Sequence, residues 1–188
     1  MTELRRDLAE GNLESVDGRW RLRFERALPH APAKVWRALT EEEHLAAWFP
    51  TTIEGERRVG APLEFRFRGE DHPPSVGELL AYDPPRLLEF TWGGSADGTT
   101  PVEHVRIELE PDGAGCRLVF TTTYDEVGKS ARDAAGWHVC LDLLAVRLDG
   151  ATPPADAHAT WAPLNRRYAE RFGPEAATIG PPTGGGAG

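Results

Sequence analysis

The sequence has little of what several common functional classes require. Cysteine occurs only at Cys116 and Cys140, and two thiols without a motif spacing do not make a disulfide framework. No apolar run reaches the length of a membrane span, and the first residues, MTELRRDLAEGN, lack the apolar core of a signal peptide. These features favour a reducing, cytoplasmic location and predict no membrane partner.

Positive charge is also scarce. The chain has 21 Lys and Arg residues against 30 Asp and Glu residues, and its formal net charge of −9 argues against nucleic acids and anionic membranes as partners. The six histidines are scattered without the paired spacing of a metal site. The sequence contains no G-x-S-x-G, P-loop, G-x-G-x-x-G or C-x-x-C motif. We therefore predict no metal, no cofactor and no catalytic residue.

The length and composition are typical of one soluble domain, with 188 residues, 40% of them hydrophobic and 27% charged. We predict a flexible lead-in over residues 1–17 and a single domain over 18–172. Residues 159–172 are amphipathic and are expected to form a helical extension of that domain. The Gly/Pro-rich tail, 173–188, has too little apolar surface to become ordered, and we expect it to be disordered.

The stretch from Ser130 to Leu148 is predicted to be the longest helix, around which the chain is organised. At 100° per residue its apolar side chains form two stripes on opposite flanks, so the helix must be covered on both. Gly136 costs about 1 kcal/mol of helix propensity relative to Ala, and it predicts close approach of another backbone. His138 and Asp142 share the polar strip and are expected to face water. The stripes are Trp137, Leu141, Leu144 and Leu148, and Val139, Leu143 and Val146.

Most of the remaining chain alternates apolar and polar residues, which is the period of half-buried strands. Two short helices interrupt this pattern between Pro32 and Pro50, and Thr40 with Glu43 has the spacing of a capping box for the second. Because the connections are short, we predict an α+β fold in which a curved antiparallel sheet of about six to seven strands grips the long C-terminal helix. The predicted strands cover 20–28, 63–68, 75–82, 86–92, 102–110 and 116–124.

One of these strands, 75–82, has two possible registers. Either Val76, Leu80 and Tyr82 or the alternate set with Leu79 faces the core, and both sets are plausible core residues. The orientation of Glu78 depends on the register.

Four segments carry a family resemblance: FERALPHAPAKVWRALTEEEHLAAWFP, VGELLAYDPPRLLEFTW, GAGCRLVFTT and AAGWHVCLDLL. They resemble the SRPBCC superfamily, and within it the type named after the activator of heat-shock-protein-90 ATPase, or AHSA-like. The resemblance covers about residues 18–150 in the family's order. It implies a START-like helix-grip fold with a cavity between the sheet and the C-terminal helix. Members of the superfamily bind lipids, hormones or polyketides, and some are cyclases or aromatases.

Large aromatic side chains at inward positions are the candidates for the wall of such a cavity. Cys140 is expected to act as a small apolar side chain and not as a nucleophile. Two orientations stay open for Arg147: its stem extends outward along the helix, or it enters the cavity opposite Glu78 or Glu89. The predicted ligand-binding residues are Trp48, Phe65, Phe67, Trp92, Phe120, Trp137, Cys140, Leu144 and Arg147.

The function predicted from these features is non-catalytic binding of a small hydrophobic or amphipathic molecule. One alternative is a cyclase or aromatase acting on a polyketide-like substrate, in which His138 and Asp142 are the available base and orienter. A second alternative is a protein-interaction or co-chaperone-like module. Chaperone activation is disfavoured, because the eukaryotic co-chaperone carries a separate N-terminal domain that the first 18 residues cannot form.

Overall fold

Antiparallel strands dominate the computed structural model, which describes residues 10–68, 73–154 and 157–180. Within these ranges, eight strands form one sheet in the order β1-β2-β8-β7-β6-β5-β4-β3. The prediction of six to seven strands is therefore wrong in number, while the antiparallel architecture is confirmed. The strands are β1 (Asn12–Val16), β2 (Arg19–Leu28), β3 (Thr51–Glu54), β4 (Pro62–Phe67), β5 (Ser75–Asp83), β6 (Leu87–Trp92), β7 (Glu103–Asp112) and β8 (Gly115–Tyr124).

The two faces of the sheet differ as the alternation predicts. On β2, Leu22 and Phe24 are fully buried, and Phe120 of β8 lies on the same inner face. The outer face carries ion pairs between strands, such as Arg106 Nη1 to Glu89 Oε2 at 2.7 Å. Because these pairs are partly exposed, they stabilise the sheet only modestly, and burial of the inner face supplies most of the stability.

Strand β1 corrects the prediction of a flexible lead-in over 1–17. Asn12–Val16 pairs with β2 in a tight hairpin whose two turn residues, Asp17 and Gly18, have φ values of 53° and 79°. Positive φ at both positions belongs to the two-residue turn that Asp-Gly favours. Leu13 packs against the core, but the two apolar residues of this strand, Leu13 and Val16, are three positions apart and do not alternate, which is why the pattern did not reveal the strand. Residues 1–9 lie outside the described residues.

A bulge in β5 removes the choice between the two predicted registers. The pairing with β6 shifts between Leu79 and Ala81, so one extra residue is accommodated there. Leu79 is therefore buried, and Tyr82 also turns inward to pack its ring 5.2 Å from that of Trp36. Glu78 is exposed.

The helices are α1 (Pro32–Thr40), α2 (Glu42–Leu45), α3 (Ser130–Leu148) and α4 (Trp161–Phe172). The predicted capping box is wrong: the Thr40 hydroxyl donates to the Trp36 carbonyl at 2.8 Å, and α2 begins after Glu41 without a side-chain cap. Helix α3 lies between the inner face of the sheet and α4, as its ring contacts with Phe120 and Tyr168 show. No helix in the described ranges is both long and apolar enough to cross a bilayer.

The chain after α4 corrects the expected disorder over 173–188. Residues Pro174–Ala177 form a 3-10 turn in which Ala176 is buried. The backbone N–H of Ile179 then donates to the carbonyl of Gly128, which precedes α3, at 2.9 Å. This segment packs against the residues that precede α3. Residues 181–188 lie outside the described residues.

Candidate functional site

A cavity of about 370 Å³ lies between α3, the start of α4 and one end of the sheet. The ends of β4 and β6 and the starts of β5 and β7 supply its strand side. The lining residues are Pro50, Phe67, Ser75, Trp92, Gly93, Glu103, Arg132, Asp133, Gly136, Trp137, Cys140 and Trp161.

Helix α3 presents one continuous stripe to this cavity. Arg132, Gly136 and Cys140 are spaced by four residues, and Asp133 and Trp137 flank them on the same face. A Cβ added at Gly136 would meet no neighbouring atom within 4 Å. The predicted close approach of another backbone is therefore wrong. Gly136 borders open space, and its missing side chain enlarges the cavity.

The wall beside this stripe is aromatic. The rings of Trp92 and Trp137 lie 5.3 Å apart between centroids, and Phe67 lies 6.3 Å from Trp92. Phe67 is 44% exposed, which places it at the rim. Trp137 is supported from below by Phe120 at 4.5 Å. The wall is thus a rigid, mostly apolar surface of the kind that holds small molecules.

One end of the cavity is polar and charged. Arg132 Nε donates to Asp133 Oδ1 at 2.7 Å, and Lys129 Nζ lies 3.3 Å from Asp133 Oδ2. Lys129 also pairs closely with Glu103, whose second oxygen accepts from the Thr122 hydroxyl at 3.4 Å. These groups form a compact network that joins the start of β7 to the first turns of α3.

The structure divides the predicted ligand-binding residues into three groups. Phe67, Trp92, Trp137 and Cys140 line the cavity. Others are core residues: the Trp48 indole N–H donates to the Ala38 carbonyl at 2.8 Å, and Phe65 stacks on Phe90 at 5.7 Å. Phe120 and Leu144 are also fully buried, so neither borders the open space. Arg147 lies elsewhere.

Arg147 points away from the cavity, toward the two short helices. Its guanidinium donates to Nδ1 of His44 at 2.7 Å. Neither predicted acid meets it, because Glu78 is exposed and Glu89 pairs with Arg106 on the outer face of the sheet. The outward of the two predicted orientations is the one observed, and Arg147 has no place in the cavity wall.

Cys140 borders the cavity as an unreactive thiol. Burial raises its pKa to about 12, so the thiol stays protonated near neutral pH. A protonated thiol is a poor nucleophile. This agrees with the expectation that Cys140 serves as a small apolar side chain.

The prediction that His138 faces water is wrong. His138 is buried beneath α4, and its Nδ1 lies 2.7 Å from the hydroxyl of Tyr168. That hydroxyl accepts from the backbone N–H of Gly11 at 2.8 Å, so its own hydrogen is available to Nδ1. Burial lowers the pKa of His138, and nearby Arg26 acts in the same direction while Asp142 opposes it.

Several lining residues were missed by the sequence predictions, above all Glu103, Arg132 and Asp133. Helical spacing offers a signal for two of them, because Arg132 and Asp133 precede Gly136 and Trp137 by one turn. Trp161 had no such signal, since its place at the cavity depends on how α4 docks against α3.

A possible metal-binding group occurs among the described residues at Glu41, Glu43 and His44, whose ligand atoms lie within 4.8 Å of one another. Glu41 already pairs with Arg37 at 2.9 Å, and His44 accepts from Arg147. These contacts account for the cluster as a surface ion-pair network beside α2.

A curved antiparallel sheet that encloses a cavity against a long C-terminal helix defines the helix-grip class. Residues 29–149 match the sequence profile of the family described as Activator of Hsp90 ATPase homolog 1-like protein. The chain belongs to this AHSA-like family of the SRPBCC superfamily, as the resemblance implied. No curated protein matches the chain significantly.

Solved structures share this fold. The protein encoded by gene BPP1335 of Bordetella parapertussis is 32% identical, with a TM-score of 0.64 over 87% of this chain and 92% of that one. CalU16 from Micromonospora echinospora is 21% identical, with a TM-score of 0.68 over 86% and 96% of the two chains. The Aha1 dimer from Colwellia psychrerythraea is 21% identical, with a TM-score of 0.57 over 68% and 95%. The last two support the fold alone.

Proposed function

We propose that this protein binds a small, largely apolar molecule in the cavity between its sheet and α3. The observation that carries the proposal is the cavity itself, whose volume of about 370 Å³ falls in the range of small-molecule sites. Trp92 and Trp137 offer flat apolar faces to a ligand, and the network at Glu103 and Arg132 offers a polar end. This combination suits an amphipathic molecule that is held mainly by burial of apolar surface.

Binding is preferred to catalysis because of where the titratable groups lie. Of the base and orienter considered from the sequence, His138 contacts Tyr168 of α4, Asp142 is exposed, and neither lines the cavity. Cys140 lines it but remains protonated. The carboxylates of Glu103 and Asp133 are already engaged by Lys129. A ligand in the cavity would therefore contact apolar walls and hydrogen-bonding groups, while the described titratable groups of the lining are protonated or already paired.

The test uses N-phenyl-1-naphthylamine, a neutral fluorophore that becomes bright in apolar surroundings. We expect the wild-type protein to enhance its emission and the probe to quench the emission of Trp92 and Trp137. Gly136→Leu extends a side chain into the open space and is expected to weaken binding about tenfold or more. Gly136→Ala is the matched control, because its single methyl leaves most of the cavity free.

Circular dichroism and the melting temperature establish that both variants fold. If the Gly136→Leu variant binds the probe as tightly as the wild type, the probe occupies another surface and the proposal is wrong. A folded wild-type protein that leaves the fluorophore dark also contradicts it.

A further inference from the structure

The cavity wall contains hydrogen-bond donors that have no acceptor in the described part of the chain. Arg132 uses only Nε, toward Asp133, so its two Nη groups make no hydrogen bond to a described residue. The indole N–H of Trp92 and the hydroxyl of Ser75 are buried without a partner among the described residues. Buried donors are normally satisfied, because leaving them unpaired costs free energy. All three residues line the cavity, but the donor atoms of Trp92 and Ser75 are buried, whereas the Arg132 side chain is partly exposed, so its Nη groups are the donors open to a ligand.

The acceptors at the same end of the cavity are, by contrast, already used. Glu103 is held by Lys129 and by the Thr122 hydroxyl. Asp133 receives Arg132 on one oxygen and Lys129 on the other. The four charges of this network, two positive and two negative, also cancel. The charged end of the cavity therefore combines free donors on Arg132, carboxylates that are already engaged, and charges that cancel.

We propose that the ligand carries a neutral acceptor oxygen, such as a ketone or ester carbonyl, which Arg132 binds while the apolar body lies against Trp92 and Trp137. This rests on the proposed binding function and specifies its ligand class. An anionic ligand such as a fatty acid would bring an uncompensated charge beside Asp133, at a desolvation cost. An amine would find the carboxylates of Glu103 and Asp133 already engaged. A pure hydrocarbon would leave the donors unpaired.

Three naphthalenes of nearly the same shape separate these possibilities. 2-Acetylnaphthalene carries a carbonyl, 2-ethylnaphthalene carries no acceptor, and 2-naphthoate carries a negative charge at neutral pH. Each competes with bound N-phenyl-1-naphthylamine, and the loss of fluorescence gives its affinity. We expect the ketone to bind about tenfold more tightly than the hydrocarbon, as a hydrogen bond to a charged donor implies. The ketone should also bind more tightly than the carboxylate.

Arg132→Met tests which residue makes the contact. Asp133 keeps Lys129 as its partner, so the variant is expected to fold. It should bind the hydrocarbon as the wild type does and lose the preference for the ketone. Arg86→Met is the matched control, because Arg86 is exposed and pairs with Asp83 in a turn remote from the cavity. That variant should keep the wild-type preference.

The outcomes distinguish the two proposals. If the fluorophore and all three naphthalenes fail to bind, the proposed binding function itself fails. If they bind but the hydrocarbon equals the ketone, or the carboxylate binds most tightly, the cavity is a binding site and the inference about a neutral acceptor oxygen is overturned. A ketone preference that survives in Arg132→Met overturns the role assigned to Arg132.

Discussion

The two sides of helix α3 differ in whether their buried polar groups are paired and in how tightly they are packed. Toward α4, His138 meets the Tyr168 hydroxyl, which also accepts from the Gly11 backbone, so the polar groups at that contact are paired. Toward the end of β6 and the start of β7, Gly136 borders open space, and the indole N–H of Trp92 has no partner among the described residues. Paired buried groups rigidify a core, whereas an open space with unpaired donors can receive a ligand. One side therefore stabilises the fold and the other is available for binding.

The side of α3 that faces α4, called the closed side below, is also where the N-terminal end of the described chain is held by ion pairs. Glu10 is buried and pairs with Arg167 and with Arg171, the latter at 2.6 Å. These contacts link the segment before β1 to α4. Because α4 also supplies Trp161 to the cavity, the paired network on one side of α3 positions part of the wall on the other.

The largest expected effect comes from opening the closed side. Tyr168→Ala removes a fully buried ring and leaves His138 and Gly11 without their shared partner, so we expect a loss of about 3–5 kcal/mol in the free energy of unfolding. Tyr168→Phe removes the hydroxyl alone and should cost about 1–2 kcal/mol. Urea denaturation measures both. Tyr82→Phe is the control, since its hydroxyl makes no hydrogen bond to the described residues. Equal stability of Tyr168→Phe and the wild type would show that the network does not stabilise the fold.

Deleting residues 174–188 is expected to have the next largest effect. The deletion removes buried Ala176 and the hydrogen bond from Ile179 to Gly128, contacts that together stabilise by about 1–2 kcal/mol. For a chain of this size that corresponds to a fall of about 2–8 °C in melting temperature. Deleting only residues 181–188 is the control and should leave the melting temperature unchanged. A full deletion that also melts at the wild-type temperature would show that the docked segment does not stabilise the fold.

The closed side should also respond to pH. His138 has a lowered pKa in the folded protein because it is buried. The unfolded chain therefore takes up a proton near pH 6.5 while the folded protein does not. Stability is full above that pH and declines as the pH falls through 6.5 toward the lowered folded pKa. Comparing the free energy of unfolding at pH 7.5 and 5.5 measures the decline. His138→Gln, which has no titrating ring, should show a smaller decline, and an identical decline would assign it to other groups.

The features that the sequence did not predict are those that depend on the packing of distant elements, on both sides of α3. Alternation predicted the strands whose inner residues are apolar, but the apolar residues of β1, Leu13 and Val16, do not alternate, and the strand is joined to β2 by the Asp17-Gly18 turn. The alternation period also identifies which strand residues face inward, but it does not indicate how completely each side chain is buried. Phe65 and Phe67 share a face of β4, yet one is fully buried and the other is 44% exposed at the rim. Which layer a ring occupies depends on the packing of distant elements.

The polar end of the cavity could not be predicted from sequence periodicity, for a related reason. Lys129 and Glu103 are 26 residues apart in sequence, and their pairing depends on how α3 meets the start of β7. The burial of His138 likewise depends on Tyr168, which is 30 residues away. Helical period placed His138 and Asp142 on one polar strip; His138 is buried under α4, while Asp142 stays exposed as predicted.

The smallest expected effect has the opposite sign and tests the open side directly. Gly136 lies within α3, and a Cβ there meets nothing within 4 Å. Gly136→Ala should therefore gain helix propensity without a clash and raise the free energy of unfolding by about 1 kcal/mol. Gly150→Ala is the matched control just beyond α3, where φ is 72°. An alanine in that conformation should cost about 1–2 kcal/mol. If Gly136→Ala instead destabilised the protein, another backbone would lie against Gly136, and this side of α3 would be as closed as the other.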